Sequence, residues 1–169
     1  NVMFENNVAQ RADSGAINFH GKMTNTTFMN VTFYKNSAKR MGAATSHSMG
    51  GAVNIDNGIE NCLFNNTLFI QNTAKNSAGA LSINGIISAL TFENTRFINN
   101  TAELEDGGAI HIGPWKVSNL AGATFKNVTF DGNNANNNGG ALYVTGETSS
   151  NIFKDVKFIN NTAKTANGG

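Results

Sequence analysis

The chain has 169 residues, enough for one domain with a real core, and only 14% of them are charged, against roughly 25% in an average globular protein. A formal net charge of +1 excludes any electrostatic draw to nucleic acid or to an acidic membrane surface. One cysteine, Cys62, excludes an internal disulfide and a C-x-x-C metal site, and no stretch approaches the ~20 apolar residues of a membrane helix.

Taken in chain order, the sequence repeats. FENN (4–7) comes first, and the same F-x-x-N returns inside FMNVTFYKN (28–36), FNNTLFIQN (64–72), FENTRFINN (92–100), FKNVTFDGN (125–133) and FKDVKFINN (153–161). Between these frames stand SGAINF (14–19), GGAVNI (50–55), AGALSI (78–83), GGAIHI (107–112) and GGALYV (139–144). The second glycine of each doublet precedes the second phenylalanine of the next frame by 18 residues in four of five copies, and by 22 between Gly108 and Phe130. The return from phenylalanine to glycine takes 10 or 11 residues, except for the 18 from Phe33 to Gly51. The unit is therefore about 28 residues long, with insertions at 39–49 and 113–122.

In AGALSI, Leu81 and Ile83 share one face and Ser82 takes the other, the period of a strand with one buried side. In FKNVTF, Phe125, Val128 and Phe130 point in, which requires a bend at Asn127. Each unit then holds about three short strands separated by corners, with Gly and Asn at the corners because they tolerate left-handed backbone angles. The predicted fold is all-β: a right-handed single-stranded parallel β-helix, a solenoid of about six coils, forming one domain over 1–169. It is expected to be a segment of a longer or polymerising protein. Spacing by two, β-branched residues and glycine punctuation argue against a helical repeat. Stacking coils about 4.8 Å apart would put Phe33, Phe69, Phe97, Phe130 and Phe158 in one internal column and Phe28, Phe64, Phe92, Phe125 and Phe153 in another. Asn7, Asn36, Asn72, Asn100, Asn133 and Asn161 would form a ladder at one corner, bonding one another and the corner backbone. Cys62 is expected to point inward as a small hydrophobe.

With G-G-A-[ILV] followed by F-x-x-N, the chain resembles the repeats of chlamydial polymorphic outer-membrane proteins and of similar adhesin-like surface proteins. GGAV (50–53), GGAI (107–110) and GGAL (139–142) match fully, while SGAI (14–17) and AGAL (78–81) replace the first glycine. The resemblance implies the surface-exposed passenger of an autotransporter, a right-handed β-helix implicated in adhesion. The chain lacks the membrane barrel and the cysteines such passengers carry. The resemblance identifies a scaffold; a fold does not fix a function.

Catalytic β-helices need outward carboxylates clustered on neighbouring coils. The expected outward columns, Asn18, Asn54, Ser82, His111, Tyr143 and Thr32, Leu68, Arg96, Thr129, Lys157, hold no carboxylate pair. Glu103, Glu105 and Asp106 read as a solvated corner, with a weak Ca²⁺ site as the alternative. His20, His47 and His111 occupy unrelated repeat positions. No enzyme activity, catalytic residue, cofactor or metal is expected.

Binding is placed instead on the insertions, which leave the coil. The first offers Lys39, Arg40 and His47. The second holds the single Trp, Trp115, beside Lys116, and could stack on a sugar or anchor a protein. Local packing over the coil edge is the alternative for Trp115, and a merely solvated bulge the alternative for the first loop. A stripe after the second phenylalanine, Tyr34, Ile70, Ile98, Asp131 and Ile159, is a candidate lateral interface or a corner cover. Six N-x-T triplets, at Asn25, Asn30, Asn65, Asn99, Asn127 and Asn160, are possible glycosylation sites; four occupy equivalent turn positions. The expected function is a non-enzymatic extracellular rod or filament segment, displayed at a cell surface for adhesion or spacing. Its expected partners are other copies or further repeats, head-to-tail or lateral, and a cell-surface protein or glycan. Neither nucleic acid nor membrane insertion is expected. The alternative is a carbohydrate-binding or carbohydrate-processing β-helix. An ice-binding face would need a flat threonine column, which Thr32, Leu68, Arg96, Thr129 and Lys157 do not make.

Overall fold

A computed structural model describes residues 1–11, 13–39, 48–113 and 118–169, and among these residues there is no helix. The backbone winds into stacked coils whose strands pair in parallel with the equivalent strands above and below. Four sheets run along the stack. The second-Phe sheet joins Val2–Glu5, Val31–Tyr34, Leu68–Ile70, Arg96–Ile98, Thr129–Asp131 and Lys157–Ile159. The Thr-Ala sheet follows it with the dipeptides Val8–Ala9, Ser37–Ala38, Thr73–Ala74, Thr101–Ala102, Asn134–Ala135 and Thr162–Ala163. The Gly-Ala sheet holds Ile17–Phe19, Val53–Ile55, Leu81–Ile83, Ile110–Ile112 and Leu142–Val144. The first-Phe sheet holds the long strands Ile59–Asn65 and Ile87–Glu93, with the same path split in two in the other coils, as at Thr124–Lys126 after Leu120–Ala121.

The expected parallel β-helix is what the chain forms, with two differences in detail. A coil has four sides and not three, because the Thr-Ala dipeptide pairs as a strand of its own. Two residues are too few for alternation to show in a sequence. Five complete turns follow the half-turn formed by Val2–Glu5 and Val8–Ala9. Ladder residues recur after 29, 36, 28, 33 and 28 positions, the two long intervals being those that contain the insertions.

The core is aromatic and columnar. Phe4, Phe33, Phe69, Phe97, Phe130 and Phe158 stack with ring centroids 4.8–4.9 Å apart. Phe28, Phe64, Phe92, Phe125 and Phe153 make the second column at 4.7–5.1 Å. The columns touch edge-on, as between Phe92 and Phe97 at 5.7 Å. Stacking at the coil rise is imposed by the repeat, and the tilted contacts between columns supply the geometry aromatic pairs favour.

Corners are left-handed single residues. Asn30, Asn66, Asn94, Asn127 and Asp155 turn the chain between the two phenylalanines, with φ of 50–56°. The next corner uses Asn6, Lys35, Gln71, Asn99, Gly132 and Asn160. Asparagine suits such positions, whereas Lys35 and Gln71 are held there by the stack on either side.

The glycine doublets divide their labour. The first position, at Gly50, Gly107 and Gly139, has φ of 58–69°, and in the other copies Ser14 (51°) and Ala78 (59°) adopt the same angle. Ser14 turns the crowding to use: its hydroxyl lies 2.6 Å from the carbonyls of both Ile17 and Ala52 and shares its one proton between them. The second position has no such freedom. A Cβ on Gly51 would lie 2.6 Å from the Thr73 nitrogen, and one on Gly108 2.6 Å from the Asn134 nitrogen. There the strand returning into the Gly-Ala sheet passes against the Thr-Ala strand of the next coil. This is why the first position varies among the copies and the second is always glycine.

Candidate functional site: the outer face of the Gly-Ala sheet

In chain order, residues 39–49 precede Val53–Ile55 and residues 113–122 follow Ile110–Ile112, both strands of the Gly-Ala sheet. Its outer face carries Asn18, Asn54, Ser82, His111 and Tyr143 in register, as the repeat requires. The expectation that this column is solvent-facing fails in its middle: Asn54 and Ser82 are 0% exposed and His111 is 3% exposed. One cause is visible in the glycine turns. Gly107 sits so close that a Cβ there would come within 2.9 Å of the His111 Cβ, and Gly139 stands likewise against Tyr143. In these two coils the turn that starts the strand stands against its own outer face.

This buried column is polar and incompletely paired. The Asn54 amide donates to Asn18 Oδ1 at 3.0 Å and to Asp56 Oδ1 at 2.8 Å. Asp56 Oδ2 takes up His20 Nδ1 at 2.8 Å, and the His20 ring is exposed. Among the described residues, Asn54 Oδ1, Ser82 Oγ and both ring nitrogens of His111 have no hydrogen-bond partner. His111 meets the Tyr143 ring edge-on at 5.0 Å. Burial lowers its pKa from 6.5 to about 4, against the opposing charges of Asp106 and Glu105. His111 is therefore a neutral imidazole at ordinary pH. The His20–Asp56 pair has the amides of Asn18, Asn54 and Asn57 around it, which are neither nucleophiles nor bases.

The carboxylates of the 103–106 corner are engaged across coils. Glu103 pairs with Lys75 at 2.8 Å, Glu105 accepts from Asn76 and Ser77, each at 2.8 Å, and Asp106 accepts from Asn138. These bonds tie one coil to the next.

Of the other residues singled out by the sequence, Lys39 is exposed, and its N–H donates to the Ala9 carbonyl. Arg40, His47, Trp115 and Lys116 lie outside the described residues. Tyr34, Ile70, Ile98, Asp131 and Ile159 stand in register on the outside of the second-Phe sheet. The first four are half-buried, and Ile159 is 39% exposed. Cys62 is buried, pointing inward as expected. Asn25, Asn30, Asn99, Asn127 and Asn160 are exposed, and Asn65 is half-buried. The four N-x-T turn sites are not one corner but two: Asn30 and Asn127 share the corner between the phenylalanines, Asn99 and Asn160 the one after them.

Two segments, 94–113 and 127–145, match the Chlamydia polymorphic membrane protein (Chlamydia_PMP) repeat. They cover two successive copies, Asn100 with Gly107–Ile110 and Asn133 with Gly139–Leu142, and the remaining copies occupy the same places in the sheets. No curated protein is found to match the chain.

Proposed function

We propose, from the polymorphic membrane protein repeats that this chain carries, that it is a non-enzymatic segment of a rod displayed at a cell surface, where it serves adhesion or spacing. The observation that carries this reading is the unbroken register of the coils. Two phenylalanine columns and an asparagine ladder run the length of the stack, so each coil has nearly the same floor and roof as the next. Such a solenoid gains stability from each added neighbour and makes a stiff spacer. The family is one of membrane proteins by its description, which supports a surface location.

The natural partner of either end is another coil. A second copy set end on end would align Phe158 with Phe4 and Ala163 with Ala9. It would leave the Gly-Ala and first-Phe sheets one strand short at the junction, since these have five layers against six strands in the other two. In-register extension therefore takes a further half-turn of the same repeat between copies. The outward column of Tyr34, Ile70 and Ile98 is the lateral contact on this reading, and Asn25, Asn30, Asn99, Asn127 and Asn160 are the most accessible glycan acceptors if the chain is glycosylated.

Labelling intact source cells with a membrane-impermeant amine reagent tests the location. Modification of Lys22, Lys126, Lys154 and Lys157 on intact cells supports surface display. Modification only after lysis contradicts it.

A further inference from the structure

A left-handed residue interrupts the first-Phe path in every coil: Asn25, Asn61, Ala89, Gly122 and Ser150, with φ of 48–64°. These residues stand one above another, so the outside of that sheet is creased along the axis of the rod. Beside the crease, over the first three coils, is an open groove of about 480 Å³. Leu63 and Ala89 give it an apolar floor, and Thr27, Thr91, Asn25 and Asn61 surround them with hydroxyls and amides. Thr27, Leu63 and Thr91 are in register, so the lining advances by one coil, about 4.8 Å, at a time.

The charges around the groove cancel locally. Glu93, on its rim, is bonded to Lys126 at 2.6 Å, and Glu60, beside Asn61, is paired with Lys22. The Asn61 amide donates to Asn25 Oδ1 at 2.7 Å, which fixes both side chains along the crease. Ala89 is the odd member of the crease. A left-handed alanine costs roughly 1–2 kcal/mol and has no side-chain polar group to compensate it. In return its methyl leaves open the space that an asparagine would fill.

We infer that this groove binds an uncharged linear glycan lying along the rod axis. Sugar rings present apolar faces bordered by hydroxyls, which matches an apolar floor between neutral hydrogen-bonding groups. A charged polymer would find no uncompensated charge to pair with. An extended peptide laid along the crease would cross the strands, where no sheet edge offers it backbone bonds. The inference deepens the adhesive half of the proposed function by naming a ligand class. Its test uses purified protein and soluble sugar, so failure here leaves the surface rod standing.

The experiment is titration calorimetry of the purified chain with linear hexasaccharides of β-1,4-glucose, β-1,4-mannose and α-1,4-glucose, and with an oligogalacturonate as the charged comparison. Saturable binding of at least one neutral probe is expected. It should weaken tenfold or more in Thr91→Arg and in Leu63→Glu, both outward substitutions whose folding is checked by circular dichroism. Thr129→Arg, on another sheet, should leave it unchanged. Two groove variants guard against loss by misfolding. No saturable binding of any neutral probe at millimolar concentration overturns the inference. So does binding that survives both groove variants, or a preference for the oligogalacturonate.

Discussion

Asn100 is tied to Asn133 twice: its backbone N–H and its side-chain Nδ2 both donate to Asn133 Oδ1, at 3.0 and 2.9 Å. The same Nδ2 reaches the Phe69 carbonyl, and Asn100 Oδ1 in turn accepts from Asn72 N and Nδ2, each at 3.0 Å. One side chain thus serves three coils. Asn100→Leu strands both buried donors of Asn72, at about 1–3 kcal/mol each. Urea unfolding should show a loss of roughly 3 kcal/mol. Asn7→Leu, at the exposed end of the ladder, should stay within about 0.5 kcal/mol of the parent. Equal effects at the two sites would contradict a cooperative column.

The two glycine positions should respond oppositely to substitution. Gly108→Ala drives a methyl into the Gly140 carbonyl and the Asn134 backbone, and should cost roughly 3 kcal/mol or more, since neither neighbour can move without shifting a coil. Ala78→Gly removes a left-handed alanine and should be neutral or stabilising by up to about 1 kcal/mol. Thermal melts of the two variants make the comparison.

Within the aromatic column the cost should depend on depth. Phe97 is 0% exposed between Phe69 and Phe130, and Phe97→Ala should destabilise by about 3–5 kcal/mol. Phe158, 53% exposed at the end of the column, should cost less than half of that. Guanidine unfolding midpoints test both.

His111 makes stability fall with acidity. Its folded pKa is about 4 against 6.5, so between those values the unfolded chain takes up a proton that the folded chain refuses. The contribution is full above pH 6.5 and is lost progressively as the pH drops toward 4, at about 1.4 kcal/mol per unit, or roughly 3 kcal/mol across the window. His111→Gln should remove this slope. Urea unfolding at pH 7.5 and 4.5 should show the parent losing about 2–3 kcal/mol more than the variant, and equal losses would refute the assignment.

Much of this could be read from the chain because a repeat multiplies weak signals. Any one F-x-x-N says little, whereas six in step fix the columns of Phe97 and Asn100 and the direction of Cys62. The Thr-Ala side was not legible, since two residues carry no periodicity and their pairing depends on the coils around them. The buried state of Asn54, Ser82 and His111 was hidden for a different reason. Alternation separates inward from outward side chains, but it carries no record of what the folded chain lays over an outward one. The crease at Ala89 was equally silent, because alanine in a strand-like run gives no warning of a left-handed angle.

The claim beneath all of these is that identical coils stack in register through the asparagine column, and side-chain amide exchange by nuclear magnetic resonance addresses it directly. The Nδ2 protons of Asn36, Asn72, Asn100 and Asn133 should be strongly protected and exchange only with global unfolding. Those of Asn25 and Asn30, on the outside, should exchange quickly. Fast exchange at Asn72 and Asn100 in the folded protein would contradict the stacked ladder, and with it the rod.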